Sequence, residues 1–233
     1  MKGSLYLIPV TLGTEKFEHV LPADVINLLT SLRHFIVEDI RSARRFLRLI
    51  DKNFPIDESE FLILNEHTDL KMLDSYFSAI ESGKDAGLLS EAGLPCIADP
   101  GSPLVRLAHR KSVRVVPLTG PSSILLALIA SGMNGQNFTF SGYIPIKKGE
   151  RQNSIRKLEQ EALSGVTQII IEAPYRNQKL LDDILSCCKP GTLLCLAVDI
   201  SMDNEYIKTD SIKNWKRNIP AINKRPAIFI LGS

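Results

Sequence analysis

The sequence predicts an α/β protein of two domains, and three observations carry that prediction. Short apolar runs alternate with longer stretches of helical spacing through the first half of the chain, the pattern of a mostly parallel sheet. The pattern changes after Thr119-Gly120-Pro121, where a largely apolar helix is followed by strands that suit hairpin-like pairing. A length of 233 residues is long for one compact domain and comfortable for two.

In chain order, Ser4–Val10 (SLYLIPV) reads as a buried first strand. Residues 22–32 have helical spacing, with Pro22 suited to a first turn. Phe35–Glu38 is a short strand ending in acids, and Ile40–Ile50 a helix. Phe61–Leu64 and Asp85–Ser90 are strands flanking a helix over Lys71–Ser82. Leu104–Arg110 is helical and Val113–Pro117 a strand. Beyond the join come a helix over Ser122–Ser131, a strand over Phe138–Tyr143 and a charged helix over Gly149–Ala162. Thr167–Ala173, Leu193–Val198 and Ala227–Leu231 are strands. The boundary is expected at 117/118, giving domains 1–117 and 118–233. No internal repeat, low-complexity tract or long linker interrupts them.

A hydrophobic fraction of 44% and a charged fraction of 23% are those of an ordinary soluble globular protein. No apolar stretch approaches the roughly 20 residues that span a bilayer. The N-terminus lacks a secretory cleavage pattern, so a cytoplasmic location is expected. Cys96, Cys187, Cys188 and Cys195 show no paired CxxC spacing, which argues for free, buried thiols and against a disulfide framework or a metal site. The net charge of +2 says little as a total, so any nucleic-acid signal must be local.

Five segments carry possible chemistry. The loop from Ser90 to Ser102 (SEAGLPCIADPGS) leaves a strand end and enters a helix, where open α/β sheets hold ligands. It is neither GxGxxG nor GxxxxGK[ST], so a nicotinamide or P-loop nucleotide is unsupported. Thr119-Gly120-Pro121-Ser122-Ser123 opens a helix whose free N–H groups either meet a ligand or are simply capped, and capping is the more common outcome. Arg41, Arg44, Arg45 and Arg48 stand at i, i+3, i+4 and i+7, which puts four guanidinium groups on one helix face. Such a face suits phosphates, although an isolated stripe is usually just solvated. Lys147, Lys148, Arg151, Arg156 and Lys157 form a second basic cluster around Glu150, just after Tyr143. Two basic clusters at near-zero net charge suggest a localised positive surface for RNA or another polyanion. Glu38 and Asp39, at a strand end, suit orientation of a substrate hydroxyl, or equally an ion pair or a helix cap. Asn65-Glu66-His67 is a similar case.

Taken together, these segments resemble the tetrapyrrole (corrin/porphyrin) methylase superfamily, and within it the ribosomal RNA small-subunit methyltransferase I branch. The similarity runs from about Ser4 to Ile230. It is carried by Glu38-Asp39-Ile40-Arg41, by residues 89–101 ending in Asp-Pro-Gly, and by Val116 to Ser123. Gly142-Tyr143-Ile144-Pro145 with the basic run to Arg151, and Glu172-Ala173-Pro174-Tyr175-Arg176, complete it. There are departures. Val10-Thr11-Leu12-Gly13-Thr14 stands where the family reads Thr-Pro-Ile-Gly-Asn. Glu91 and Leu94 replace an Asp and a Thr of the cofactor loop. Ala197 to Met202 lacks the family's Arg-Glu pair.

The resemblance implies two α/β domains with an S-adenosylmethionine (SAM) cleft between them, in a fold other than the Rossmann-type methyltransferase, and a homodimer. It implies cofactor contacts at Leu12, Ser90, Glu91, Ala92, Ile97, Ser122, Ser123, Glu172, Ala173, Pro226 and Ala227. The expected activity is SAM-dependent methylation, with a ribose 2′-hydroxyl of small-subunit rRNA as acceptor. Glu38 or Asp39 would orient that acceptor, and Arg41, Lys147, Lys148 and Arg151 would hold the RNA. The alternatives are methylation of a corrin or porphyrin precursor, and a SAM-binding paralogue without turnover.

Overall fold

The computed structural model describes residues 1–233, which divide into two compact units, Met1–Ser122 and Ser123–Ser233. Unit 1 contains β1 (Ser4–Ile8), α1 (Ala23–Ser31), β2 (His34–Val37), α2 (Ile40–Ile50), β3 (Glu60–Ile63), α3 (Ser78–Glu81), β4 (Ala86–Leu89), α4 (Ser102–Arg110) and β5 (Arg114–Pro117). Its sheet has the order β3-β2-β4-β1-β5, and every pair is parallel. Parallel strands need helical crossovers, which cover both faces with apolar side chains. One face packs Phe35, Phe46, Leu47 and Leu29; the other packs Leu5, Ile36, Phe77 and Leu104. All five carboxyl ends therefore open on one edge.

Unit 2 contains α5 (Ser123–Ser131), β6 (Phe138–Gly142), α6 (Lys148–Leu163), β7 (Thr167–Ile171), α7 (Asn177–Cys187), β8 (Leu193–Val198), β9 (Tyr206–Ser211), α8 (Ile212–Trp215) and β10 (Ala227–Gly232). The order is β6-β7-β10-β8-β9, with only β6 and β7 parallel. The antiparallel β8–β9 hairpin realises the hairpin-like pairing expected there. Its core gathers Ile155, Leu180, Leu181, Ile184, Phe229 and Trp215. Trp215 satisfies its indole N–H on the Leu194 carbonyl at 2.9 Å.

Three differences from the sequence reading have physical causes. The units meet at 122/123 rather than 117/118, because the intervening residues pack into unit 1. Leu118 joins its core, and a Cβ on Gly120 would sit 2.2 Å from the Pro9 Cβ. The helix expected over 71–82 is a 3-10 helix, Leu70–Phe77, running into the short α3. There the Ser75 hydroxyl bonds the carbonyl three residues back, which suits the tighter i→i+3 winding. Cys188 and Cys195 are buried free thiols as expected, but Cys96 and Cys187 are only half-buried.

A further correction concerns Arg151, placed by sequence among the RNA-binding cations. It is 2% exposed. Its Nε donates to Asp183 Oδ2 at 2.7 Å, Nη2 donates to the same oxygen, and Nη1 donates to the Ile146 carbonyl. The pair ties α6 to α7 and leaves no charge for a ligand. Asp183→Ala would strand a buried guanidinium and is expected to cost about 3–5 kcal/mol in urea unfolding, whereas the joint replacement Arg151→Met with Asp183→Leu recovers most of it. A cost under about 1 kcal/mol for the single change would contradict the pair's structural role.

Candidate active site

The carboxyl edge of the unit 1 sheet collects the loops after β1, β2, β3 and β4. The β1 and β4 loops are stitched together by a reciprocal backbone pair: Val10 N–H to Gly93 O at 2.9 Å, and Gly93 N–H to Val10 O at 3.0 Å. Gly93 has φ +74°, a conformation glycine adopts at no steric cost. Asp99 then closes the rest of the β4 loop. Its Oδ2 accepts from Cys96 N–H at 2.8 Å and its Oδ1 from Gly101 N–H at 2.7 Å. Cys96 and Ala98 are held at φ +69° and +59°, strain that a loop keeps only when its surroundings enforce it. Burial, then the Asp99 charge, pushes the Cys96 thiol up to about 12, so it is an inert neutral group at physiological pH.

Between these loops and α2 lies a cavity of about 440 Å³. Leu12, Ser90, Glu91 and Ala92 line it, so four of the expected cofactor contacts share one wall. Ile97 does not line it and stands exposed farther along the loop. Sequence reasoning missed the opposite wall, where α2 contributes Ser42, Arg45, Phe46 and Leu49. The arginine spacing pointed to that helix, but not to its second role. Thr11 and Thr14 add hydroxyls from the β1 loop. Ser122 is buried at the end of unit 1, and Ser123 opens α5.

The two acidic candidates differ. Asp39 is the N-cap of α2, its Oδ1 accepting from Ser42 N–H at 2.8 Å. The backbone and hydroxyl bonds of Ser42 hold its carboxyl below the usual range, which makes it a poor base. Glu38 is half-buried, and its pKa is raised, first by burial and then by the charges of Glu91, Asp99 and Glu66, while the Glu91 backbone N–H pulls the other way. Glu38 is thus the better proton acceptor. His67 stands exposed at a loop tip beside Glu66. No group of three or more His, Cys, Asp or Glu side chains is arranged to hold a metal.

The arginine face is realised as spaced. Arg41, Arg44, Arg45 and Arg48 are exposed on α2, and none forms a salt bridge. Arg44 lies over the Phe61 ring at 5.2 Å. In unit 2, Lys147 and Lys148 are exposed at the start of α6.

The remaining expected contacts cluster at one end of the unit 2 sheet, since Ala227 pairs with Val198 and Ile228 with Ile171. There Glu172 is buried and binds the Arg176 guanidinium and the Ala173 N–H. The Pro226 carbonyl accepts from Asp199 N–H at 3.0 Å. Asp199, at φ +50°, binds Arg225 Nε at 2.6 Å and Asn204 Nδ2 at 2.5 Å. Asn177 Nδ2 reaches the Arg225 carbonyl, which extends the network to α7. Two buried atoms here, Arg176 Nε and Asn177 Oδ1, have no partner.

With that geometry in place, similarity to known proteins assigns the family. Residues 16–215 match the family model of the tetrapyrrole (corrin/porphyrin) methylases. The chain belongs to that family. Among curated relatives, a ribosomal RNA small subunit methyltransferase I from Buchnera aphidicola subsp. Schizaphis graminum is 28% identical over 98% of this chain and 78% of its own length. The same-named protein of Escherichia coli O157:H7 is 29% identical over 88% of this chain and 68% of its own length, and that of Xylella fastidiosa 34% identical over 78% and 63%. The methyltransferase CobJ superposes at TM-score 0.66 with 14% identity, covering 99% of this chain and 94% of its own. A uroporphyrin-III C-methyltransferase from Thermus thermophilus, solved with S-adenyl homocysteine, superposes at 0.60 with 18% identity, covering 99% and 98%. At those identities the structures speak for the fold alone.

As a methylase of this family, the protein is a SAM-dependent methyltransferase. Its own residues fit the cofactor. The cavity falls in the range of roughly 300–1,000 Å³ usual for small-molecule sites. Its lining combines the apolar Leu12, Phe46 and Leu49 with the hydroxyls of Thr11, Thr14 and Ser90 and the carboxylate of Glu91, which suits a molecule with an adenine and a cationic end. The unpartnered Arg176 Nε and Asn177 Oδ1 leave a donor and an acceptor beside Glu172 and Ala173.

The raised pKa of Glu38 gives a test with a definite sign. Ionisation is disfavoured in the fold, so the penalty is absent below the unfolded carboxyl value, about pH 4, and is complete above the folded value. Glu38→Gln is expected to melt higher than the parent at pH 7 and equally at about pH 4, while methyl transfer falls and loses its acid limb. A variant no more stable at neutral pH, with an unchanged pH profile, would remove Glu38 from this role.

Proposed function

We propose that this protein methylates a ribose 2′-hydroxyl of small-subunit ribosomal RNA. The observation that carries the reading is the double use of α2. One side of the helix walls the cavity with Ser42, Arg45, Phe46 and Leu49, while Arg41, Arg44 and Arg48 stand exposed and outside any salt bridge. A cofactor pocket and a phosphate track then share one rigid element. Arg41 and Arg48 lie seven positions apart, about 10 Å along the helix. The names of the relatives support an RNA acceptor, and Arg suits bidentate phosphate contacts.

Bound SAM supplies an electrophilic methyl on a sulfonium. The protein's task is mainly positioning. Glu38 accepts the hydroxyl proton as the new bond to oxygen forms. Arg41, Arg44 and Arg48 hold flanking phosphates, with Lys147 and Lys148 extending the basic surface. Ser90, Glu91, Ala92 and Leu12 hold the cofactor in unit 1, as do Ile97 and Ser122 by family likeness; Ser123, Glu172, Ala173, Pro226 and Ala227 serve it in unit 2. The proposal includes a homodimer working in the cytoplasm. No helix of the chain is long and apolar enough to cross a membrane.

Titrating salt against binding of small-subunit RNA tests this reading. Each lost phosphate contact should flatten the log–log slope by about 0.7 for single strands. Arg41→Ala with Arg48→Ala is expected to weaken RNA binding and flatten the slope by about twice that amount, leaving SAM affinity intact. Unchanged RNA affinity and slope would refute the phosphate track.

A further inference from the structure

Beyond phosphate contacts, unit 2 carries exposed aromatic rings that neither the cofactor site nor the core uses. β6 and β7 run parallel and adjacent, with Phe140 opposite Ile169 and Gly142 opposite Ile170. The chain leaves both strands at the same end. From β6 it enters Tyr143, directly after Gly142 at φ +62°. From β7 it enters a 3-10 helix, Pro174–Arg176, whose middle residue is Tyr175. Tyr143 is 58% exposed and Tyr175 67%. Large aromatic side chains are normally far better covered than this.

Arg176 lies against the second tyrosine. Its guanidinium lies 5.3 Å from the centre of the Tyr175 ring. Its affinity for its proton is raised chiefly by Glu172, against desolvation, and further by the nearby phenols of Tyr175 and Tyr143. Buried Glu172 anchors the arginine, so the guanidinium is fixed where it meets the ring. Exposed Ile146, Lys147 and Lys148 follow Tyr143 directly. Two exposed aromatic side chains at one end of the sheet, a guanidinium over one of them and neighbouring lysines are the elements that single-stranded nucleic acid sites use, because every base offers a π face.

We infer that Tyr143 and Tyr175, the latter braced by Arg176, form a stacking platform for unpaired bases of the RNA substrate. The inference rests on the RNA reading above and deepens it. The platform selects unpaired RNA over duplex, whose bases are already stacked on one another. It also gives the basic run at 147–148 a specific task, holding the phosphates of the nucleotides whose bases stack.

Fluorescence anisotropy of the full chain with a labelled, unstructured oligouridine tests the platform. Tyr175→Ala and Tyr143→Ala are each expected to weaken binding about tenfold, and the Phe variants to stay within about twofold, since a phenyl ring still stacks. The same oligonucleotide with abasic sugars should bind the parent and the Ala variants alike. If the parent binds RNA and the Ala variants bind equally well, the platform is overturned while the RNA reading stands. If the parent binds no RNA, the RNA reading itself falls, and the platform with it. If uroporphyrin binds more tightly than RNA and is lost in the same variants, the rings serve a flat macrocycle and the base assignment is overturned.

Discussion

The candidate site depends on the two hydrogen bonds between Val10 and Gly93. They join loops from β1 and β4 that are about 80 residues apart in sequence, and the cavity wall of Leu12, Ser90, Glu91 and Ala92 hangs from that joint. The joint is possible because the unit 1 sheet is wholly parallel. Parallel pairing brings every strand's carboxyl end to one edge, so loops distant in sequence become neighbours. Gly93 is required at its φ of +74°, and a Cβ there would lie 3.3 Å from Leu12 Cδ2 and 3.5 Å from the Pro121 carbonyl. Asp99 then braces the remainder of the loop. The Asp-Pro-Gly that marks the family thus acts here through Asp99 as a backbone clamp.

Charge is sorted over short distances. At the strand ends burial raises the pKa of Glu38 first, and the charges of Glu91, Asp99 and Glu66 raise it further. On α2, Arg41, Arg44 and Arg48 face outward without salt bridges, while Arg45 lines the cavity. A net charge of +2 conceals this separation. The arrangement sets an acidic cluster at the strand ends, where Glu38 suits proton acceptance, in the same unit as a basic outer face suited to a polyanion. In unit 2 a local network orders the sheet end beside Ala227. Asp199 holds Arg225 and Asn204, and the same network fixes the Pro226 carbonyl next to Ala227.

Much of this was legible in the sequence because its causes are local. The limits of α2 and β8 fall where periodicity puts them, and the arginine face follows from 3.6-residue spacing alone. α7 shows equally plain spacing in Leu180, Leu181, Ile184 and Leu185, yet it lies in a stretch that the motif-led reading passed over. β9 (YIKTDS) is half-exposed, and its weak alternation gives little signal until it pairs with β8. Arg151 shows what local pattern cannot reveal. Its burial depends on Asp183, 32 residues away, and within its own helix it looks like any other cation of a basic run. The cavity wall on α2 was hidden for the same reason, since it exists only once β1, β4 and α2 are assembled.

The central claim is methyl transfer to ribosomal RNA. The direct measurement is transfer of labelled methyl from SAM to small ribosomal subunits that lack this modification, followed by mapping of the labelled nucleotide. The account predicts label on a single ribose 2′-oxygen of the small-subunit RNA. No label on RNA, with SAM binding intact in a parallel titration, would contradict it and leave a tetrapyrrole acceptor or a non-catalytic role.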